Sequence, residues 1–321
     1  MKFEKYLPYA HSLFERCFTL KQRSHFLIVS DKATQVMGDF FYHAALTFSP
    51  EVLLVQLNGH SLFSGFTGQV VRDSLDKADN VIFVFPDLAP PALPGWLEES
   101  QKTHILCVNV LQPQHLQRLI RQNFQMVIRR TQKFSDLLRI GKELKIGFQA
   151  GDELELPISG ARTFPDFSEI RRGRRVCFLP AGEVRILFEN RRITGTFPVH
   201  FIAGEYTNPD QDPAMLLIKG GKIIQVKGKS ELAGRIRKFF KIHGSASRTL
   251  LEIGIATNEF SEYGKSAAED RKVLGGMTLT AGIRKSSKKE HQATYLTMVT
   301  LIRHLAIDNR DVIRDGRLML S

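Results

Sequence analysis

Cysteine is scarce in this chain: Cys17, Cys107 and Cys177 are the only three, far apart and without a CxxC pair. An odd, sparse set excludes a disulfide framework and points to a reducing compartment. Tryptophan occurs once, against 23 Phe and six Tyr, so the aromatic content belongs to packing. No apolar run approaches the roughly 20 residues that span a bilayer. The opening MKFEKYLPYAHSLFERCF is interrupted by acidic and polar residues where a signal peptide needs an unbroken apolar stretch. A cytoplasmic location is therefore expected, with no membrane partner. There is no GxSxG elbow and no locally supported Cys–His arrangement, so nucleophilic hydrolysis has no visible machinery. GGMTLTAG lacks the strand–GxGxxG–helix setting of a dinucleotide site. Internal repeats and low-complexity tracts are missing as well.

What the chain does have is length and positive charge. At 321 residues it exceeds the usual size of one core, and 43% hydrophobic with 24% charged residues is a globular composition. The net charge is +12, densest at Arg171, Arg172, Arg174 and Arg175, with smaller groups at Arg129–Arg130, Arg191–Arg192 and Lys285, Lys288, Lys289. Such charge suits an acidic partner or a solvated surface. No helix-turn-helix, zinc finger or RNP-type aromatic strand accompanies it, so a nucleic-acid partner is not expected.

Short apolar runs alternate with helical patterns in the first half. HFLIVS (25–30), EVLLVQL (51–57), NVIFVFP (80–86) and THILCVNV (103–110) predict buried strands, and Asp31 is placed to cap a helix through Asp39–Leu46. That alternation predicts a small open α/β sheet with parallel strands. PQHLQRLIRQNFQMVIRRTQKFSDLLRIGKEL predicts a long amphipathic helix leading into a second domain near Ile146. Beyond it, ELELPI (153–158), 176–179, 184–188, 198–202, 215–219 and 222–226 have strand character with tight turns such as KGGK. The helix SELAGRIRKFFKIHG (230–244) interrupts them. The expected fold class is α/β: an N-terminal α/β domain, 1–145, then a mixed, largely antiparallel β-rich domain with helices, 146–321.

The second half also carries an ordered series of segments: LPAGEV (179–184), FIAGEY (201–206), LLIKGGKIIQVKG (216–228), LLEIGIATN (250–258), EDRKVLGGMTLTAG (269–282) and LAIDNRDVIRDGRLM (305–319). Together they resemble the thermophilic metallo-aminopeptidases of the aminopeptidase T/S type, with their ELGIGTN, DEKVLGTxHIALG and VYLDGxxVxxDGxL segments. The 2,5-dihydroxypyridine dioxygenases share that architecture and bind iron in the corresponding place. The resemblance implies a two-metal site lined by carboxylates and imidazoles, where the ions activate water and polarise a carbonyl. Carried over position by position, the first Glu ligand falls on Glu183 and the second on Glu252. The His of HIALG falls on Thr278, and the terminal HxD pair falls on Tyr295 and Thr297. A shift of four residues would bring His291 to the first HxD position, with Ala293 as its partner. Two carboxylates without imidazole hold a hard cation weakly, since calcium takes six or more oxygens.

Each of these residues has a plainer reading. Glu183 also fits the polar end of a turn, and Glu252, ahead of an apolar IGIA run, fits an exposed strand start. In a binding protein both would tolerate Gln, which keeps the shape and hydrogen-bonding capacity of Glu. His200, His243 and His304 fit structural positions.

The expectation is a degenerate, non-catalytic relative: no cofactor, no metal, and Glu183, Glu252, Thr278, Tyr295 and Thr297 as remnants lining a ligand site. The implied ligand is a peptide, and the positive charge favours an acidic one, such as the leader segment of a ribosomally made precursor. The resemblance also implies a homodimer. The alternative is a metal-dependent aminopeptidase or ring-cleaving dioxygenase rebuilt around Glu183, Glu252 and His291. If the arginine cluster meets an acidic peptide, replacing Arg171, Arg172, Arg174 and Arg175 with Ser slows association in stopped-flow measurements. The difference from wild type should shrink with added salt, because exposed charges are screened over about 8 Å at physiological ionic strength. An unchanged association rate at every salt concentration leaves the cluster as a solvated loop.

Overall fold

The four apolar runs of the first half form parallel strands, and a fifth strand joins them from much later in the chain. The computed structural model describes residues 3–21, 23–58, 65–86, 103–110, 112–121, 124–148, 153–167, 175–187, 193–207, 212–283 and 294–319. These fall into two compact units. In the first are β1 (Phe26–Asp31), β2 (Val52–Leu57), β3 (Asn80–Val84), β4 (His104–Val108) and β8 (Val176–Leu179), all parallel, in the order β2-β1-β3-β4-β8. Successive side chains leave opposite faces of a strand, so an apolar run is buried throughout only if both faces are covered. Phe26, Ile28 and Ile82 pack beneath α1 (Leu7–Cys17), α2 (Gln35–Leu46) and α4 (Pro113–Arg121). Leu27, Val29 and Phe83 face α3 (Gly65–Leu75). The three cysteines are buried and form no disulfide with one another.

Asp31 caps as expected, but on a 3₁₀ turn, Lys32–Thr34, that runs into α2. Its Oδ1 accepts the Thr34 N–H at 2.9 Å while Thr34 Oγ1 accepts the Asp31 N–H at 3.1 Å. This reciprocal pair satisfies two amides that the helix start leaves unbonded.

The long amphipathic stretch is not one helix. It forms α4 and α5 (Phe124–Ile140), and its last residues, Glu143 and Leu144, already belong to β5 (Glu143–Phe148). Gly141 follows α5 directly, its N–H donating to Leu137 O at 2.9 Å. The units part at Gln125 and Met126, and Phe167–Ala181 belongs to the first unit. The change of composition near Ile146 falls within β5.

The second unit is β-rich and antiparallel, so the fold class is mixed α/β. Its main sheet contains β5, β6 (Glu153–Pro157), β7 (Thr163–Asp166), β9 (Glu183–Leu187), β11 (Phe201–Ile202), β14 (Leu250–Ala256), β15 (Gly276–Ile283), β16 (Thr294–Ile307), β17 (Arg310–Arg314) and β18 (Arg317–Leu318). β16 spans 14 residues and acts as the spine: its first part pairs β15, and its last part pairs β5 and β17. β10 (Gly195–Val199), β12 (Ala214–Lys219) and β13 (Lys222–Lys227) make a separate three-stranded sheet. α6 (Glu231–His243) starts at Ser230, whose hydroxyl accepts the Ala233 N–H at 3.4 Å. A single apolar core joins these elements through Ile186, Ile253, Ile255, Leu279 and Met298. Among the described residues no helix is long and apolar enough to cross a membrane.

Candidate functional site

The strands β7, β9, β14, β15 and β16 lie side by side and sort their residues by the two-residue period. Val184, Ile186, Ile253, Ile255, Leu279 and Met298 go to the apolar core. The alternate positions place Asp166 beside Glu183, Arg185 beside Gly254, Gly254 beside Thr278, Glu252 beside Thr280, and Thr280 beside Thr297. One face of the sheet is therefore polar across five strands, and it is buried as thoroughly as the other.

Two glycines make that face possible. Gly182 has φ +99°, and a side chain there would meet the Asn258 Cβ at 2.6 Å and the Val127 Cγ1 at 2.9 Å. Its N–H donates to Asp166 O at 3.0 Å and its carbonyl accepts the Thr257 N–H at 2.8 Å, which sets the start of β9 against β7 and β14. Gly254 lies under the Glu183 carboxylate. A Cβ there would come within 1.9 Å of Glu183 Oε1 and 2.6 Å of Thr278 Oγ1.

The polar face is covered by Glu269–Lys272. Glu269 and Asp270 end the short helix α7 (Ala267–Asp270), whose Ser266 cap accepts the Glu269 N–H at 3.1 Å. Asp270 accepts the Gly204 N–H at 2.8 Å and the Gly264 N–H at 2.7 Å, and burial pushes its carboxyl above the usual range. The chain then returns to the end of β14: Asn258 N–H donates to Lys272 O at 3.0 Å and Leu274 N–H to Asn258 O at 2.9 Å. That return delivers Arg271 and Lys272, each 4% exposed, onto the carboxylates.

Every oxygen of the two glutamates meets a cation. Arg271 Nη2 donates to Glu252 Oε1 at 2.8 Å and to Glu183 Oε1 at 3.3 Å, and its Nη1 donates to Thr297 Oγ1 at 3.3 Å. Lys272 Nζ donates to Glu183 Oε2 at 2.9 Å and to Asp166 Oδ2 at 2.8 Å. Arg185 Nη1 donates to Glu252 Oε2 at 3.1 Å, and Thr278 Oγ1 to Glu183 Oε1 at 3.3 Å. Thr280 and Thr297 share a hydroxyl bond of 3.1 Å. Three carboxylates thus face three cations, and the cluster is neutral. Burial raises the Glu183 carboxyl, but Arg271, Lys272 and Arg185 outweigh it and bring it down to about 2. Burial works against the Arg271 charge too, and Glu183 and Glu252 more than compensate, lifting it above its ordinary value.

Four of the sequence candidates, Glu183, Glu252, Thr278 and Thr297, meet in this cluster. Tyr295, half-buried on the same face of β16, lies close enough to contribute to the Arg271 shift. The exposed position considered for Glu252 is overturned: the residue is 2% exposed, in the interior of β14. Each carboxylate neutralises buried cations, so Gln at either position is expected to leave a positive charge unmatched. Arg171, Arg172, Arg174 and His291 lie outside the described residues. Arg175 is half-buried at the foot of β8, its guanidinium against His104 Nε2. Arg130 bonds Thr257 O at 3.0 Å and Glu259 at 2.7 Å. His200 is buried beside Thr300, and His304 pairs with Asp311 at 2.7 Å.

Sequence reasoning missed Asp166, Arg185, Arg271 and Lys272. One signal was available: against the pattern DEKVLG, the segment DRKVLG carries Arg271 where the pattern has an acid.

No family model and no curated protein matches the chain by sequence. Solved structures do match. The structure of 2,5-dihydroxypyridine dioxygenase from Pseudomonas putida KT2440 superposes with a TM-score of 0.79 at 15% identity, over 99% of this chain and 98% of that one. AmpT from Thermus thermophilus superposes with a TM-score of 0.60 at 10% identity, over 99% and 100%. At these identities the likeness is one of fold, and it bears out the scaffold expected from the ordered segments.

Gly254→Ala should cost about 3 kcal/mol, read as a lower urea midpoint, because the methyl group enters the space of a fixed carboxylate. A loss below about 0.5 kcal/mol, within the range of an ordinary surface change, would show that Glu183 moves freely. The cluster also sets an acid limit. Since Glu183 titrates at about 2 in the fold and near 4.5 ordinarily, its contribution is complete above about pH 4.5 and is lost as pH falls toward 2. Urea midpoints across that window should fall steeply for wild type and less so for Glu183→Gln. Parallel profiles would remove Glu183 as the source.

Proposed function

We propose that this chain is a non-catalytic, peptide-binding protein built on the scaffold it shares with 2,5-dihydroxypyridine dioxygenase and AmpT. Its ligand is an acidic peptide, such as the leader segment of a ribosomally made precursor. One observation carries the non-catalytic half: both glutamates that the family resemblance nominates as metal ligands are held by Arg271, Lys272 and Arg185. A divalent ion about 4 Å from a fixed positive charge is repelled by about 8 kcal/mol at an effective dielectric of about 20. Three such charges line this site, so the donors do not suit a divalent metal. Among the described residues no group of three or more His, Cys, Asp or Glu is placed to hold one. Without an ion there is no Lewis acid for a peptide carbonyl and no centre for dioxygen, and the described cluster offers no nucleophile in its place.

The peptide half is supported by the aminopeptidase resemblance and by charge. A net +12 favours acidic chains over basic ones and speeds their encounter.

Wild type should show no turnover of Leu- or Arg-aminoacyl fluorogenic substrates with added zinc, cobalt or manganese. It should also leave 2,5-dihydroxypyridine intact with iron(II) and dioxygen. Fluorescence anisotropy should show an acidic peptide of about 20 residues binding at least about tenfold more tightly than its charge-reversed version, a difference of about 1.4 kcal/mol. Metal-dependent turnover lost in Glu252→Gln would sink the non-catalytic reading. Equal affinity for acidic and basic peptides would sink the choice of ligand.

A further inference from the structure

The positive charge of the chain is concentrated in one stretch. Residues 214–250 hold nine Lys and Arg against one acid, Glu231, whereas the remaining 36 Lys and Arg face 32 Asp and Glu. The stretch forms β12, β13 and α6 of the second unit. Its three arginines are engaged. Arg237 donates to the carbonyls of Val226 and Gly228 at 3.2 Å and 3.0 Å, and Arg248 to that of Ile223 at 3.2 Å, which ties α6 and the turn after it to β13. Arg235 pairs with Glu205. What is left is lysine. Lys219, Lys222, Lys227, Lys229, Lys238 and Lys241 are all exposed, and none of them is in an ion pair with another described residue. Their placement works against the fold. Lys219 stands opposite Lys222 across the hairpin, and on α6 Lys241 follows Arg237 by four residues and Lys238 by three. Like charges at these spacings repel and destabilise. A surface that keeps such conflicts without a partner inside the molecule is fitted to one outside it.

We propose that the lysine face of β13 and α6 is the docking site for an acidic peptide, and that it reads the peptide through side-chain charge alone. The inference rests on the acidic-peptide half of the reading above and gives that ligand a site that does not include Arg171, Arg172, Arg174 or Arg175. Backbone pairing is closed off. β13 pairs with β12 alone, but the carbonyls of Ile223 and Val226 are already taken by Arg248 and Arg237, so a peptide cannot add as a strand there without displacing them. The free cations are ammonium groups on flexible stems, suited to carboxylates at varied spacing rather than to one fixed fork. Nucleic acid fits less well, because residues 214–250, all described, include no exposed Phe, Tyr or Trp on which a base would stack. A bilayer fits less well too. Ile224 and Ile242, 51% and 65% exposed, are the large exposed apolar residues of the stretch, far short of the apolar face that an interfacial helix buries. Two isolated isoleucines among lysines match an acidic chain with scattered apolar side chains.

The test compares two variants of equal net charge by fluorescence anisotropy, with a labelled peptide of about 20 residues composed of glutamate and leucine as the probe. One variant carries Lys222→Gln, Lys227→Gln, Lys238→Gln and Lys241→Gln. The other removes four exposed cations of the first unit, through Lys21→Gln, Arg23→Gln, Lys32→Gln and Lys77→Gln. At about 50 mM salt the first variant should bind at least about tenfold more weakly than wild type and the second less than about threefold, with the gap between them closing as salt rises. The first variant should also have a urea midpoint equal to or above that of wild type, because the lysines it loses repel one another. Equal weakening in the two variants would overturn the site and leave the acidic-peptide reading standing, since charge would then act from the whole surface. A lowered urea midpoint in the first variant would overturn the argument from repulsion and the site with it. Vesicles of phosphatidylcholine with about 30% phosphatidylserine are the remaining arm. Wild-type binding to them that the first variant loses, with peptide affinity unchanged, would assign the face to a bilayer and overturn the proposal. A wild type that binds no acidic peptide removes the reading beneath it.

Discussion

A fully buried carboxylate, that of Glu183, has to be neutralised, and the second unit is arranged around that requirement. An unpaired charge taken out of water costs far more than one domain has in net stability. The neutralising groups come from two places in the chain: Arg185 on the same strand, and Arg271 and Lys272 from the return after α7. Their positions in turn demand Gly254 beneath the carboxylate, Gly182 at the turn that launches β9, and Asp270 pinning the loop that precedes the cations.

Such a cluster is not a simple source of stability. Desolvation offsets much of the attraction within a buried ion pair, and an apolar face of the same shape is often as stable. What the pairs do impose is geometry, since each oxygen of the two glutamates has a donor and a change in one partner leaves another unmet. The first unit offers the contrast. Its sheet is apolar on both faces, and the same two-residue alternation that creates an ionic face in β9 and β14 only divides Phe26 and Ile28 from Leu27 and Val29 in β1.

The scaffold is shared with proteins whose chemistry differs, and fold alone selects none of those activities. In this chain the positions nominated as metal ligands retain the two glutamates and surround them with donors. Thr278 and Thr297, which fall on ligand positions of the family pattern, are hydrogen-bond donors and acceptors inside the ion network. Arg271 contributes two nitrogens to three partners, a planar fork that a lysine could not reproduce.

The sequence by itself determined the mixed α/β class, the four strand runs of the first half and some of those in the second, the Asp31 cap and the ordered segments that resemble the scaffold's. Each of these depends on periodicity or on chemistry within a few residues. It also singled out Glu183 and Glu252, because their motifs are local. Tertiary structure alone decided that Val176–Leu179 joins the first sheet, because parallel pairing is contacted across a long stretch of chain and leaves no local pattern. It alone decided the meaning of Glu269–Lys272, four consecutive charges that in isolation look like a solvated loop and are all buried. Burial of a charge depends on its partners. Those of Arg271 and Lys272 are brought within 3.3 Å by strands 19 to 106 residues away.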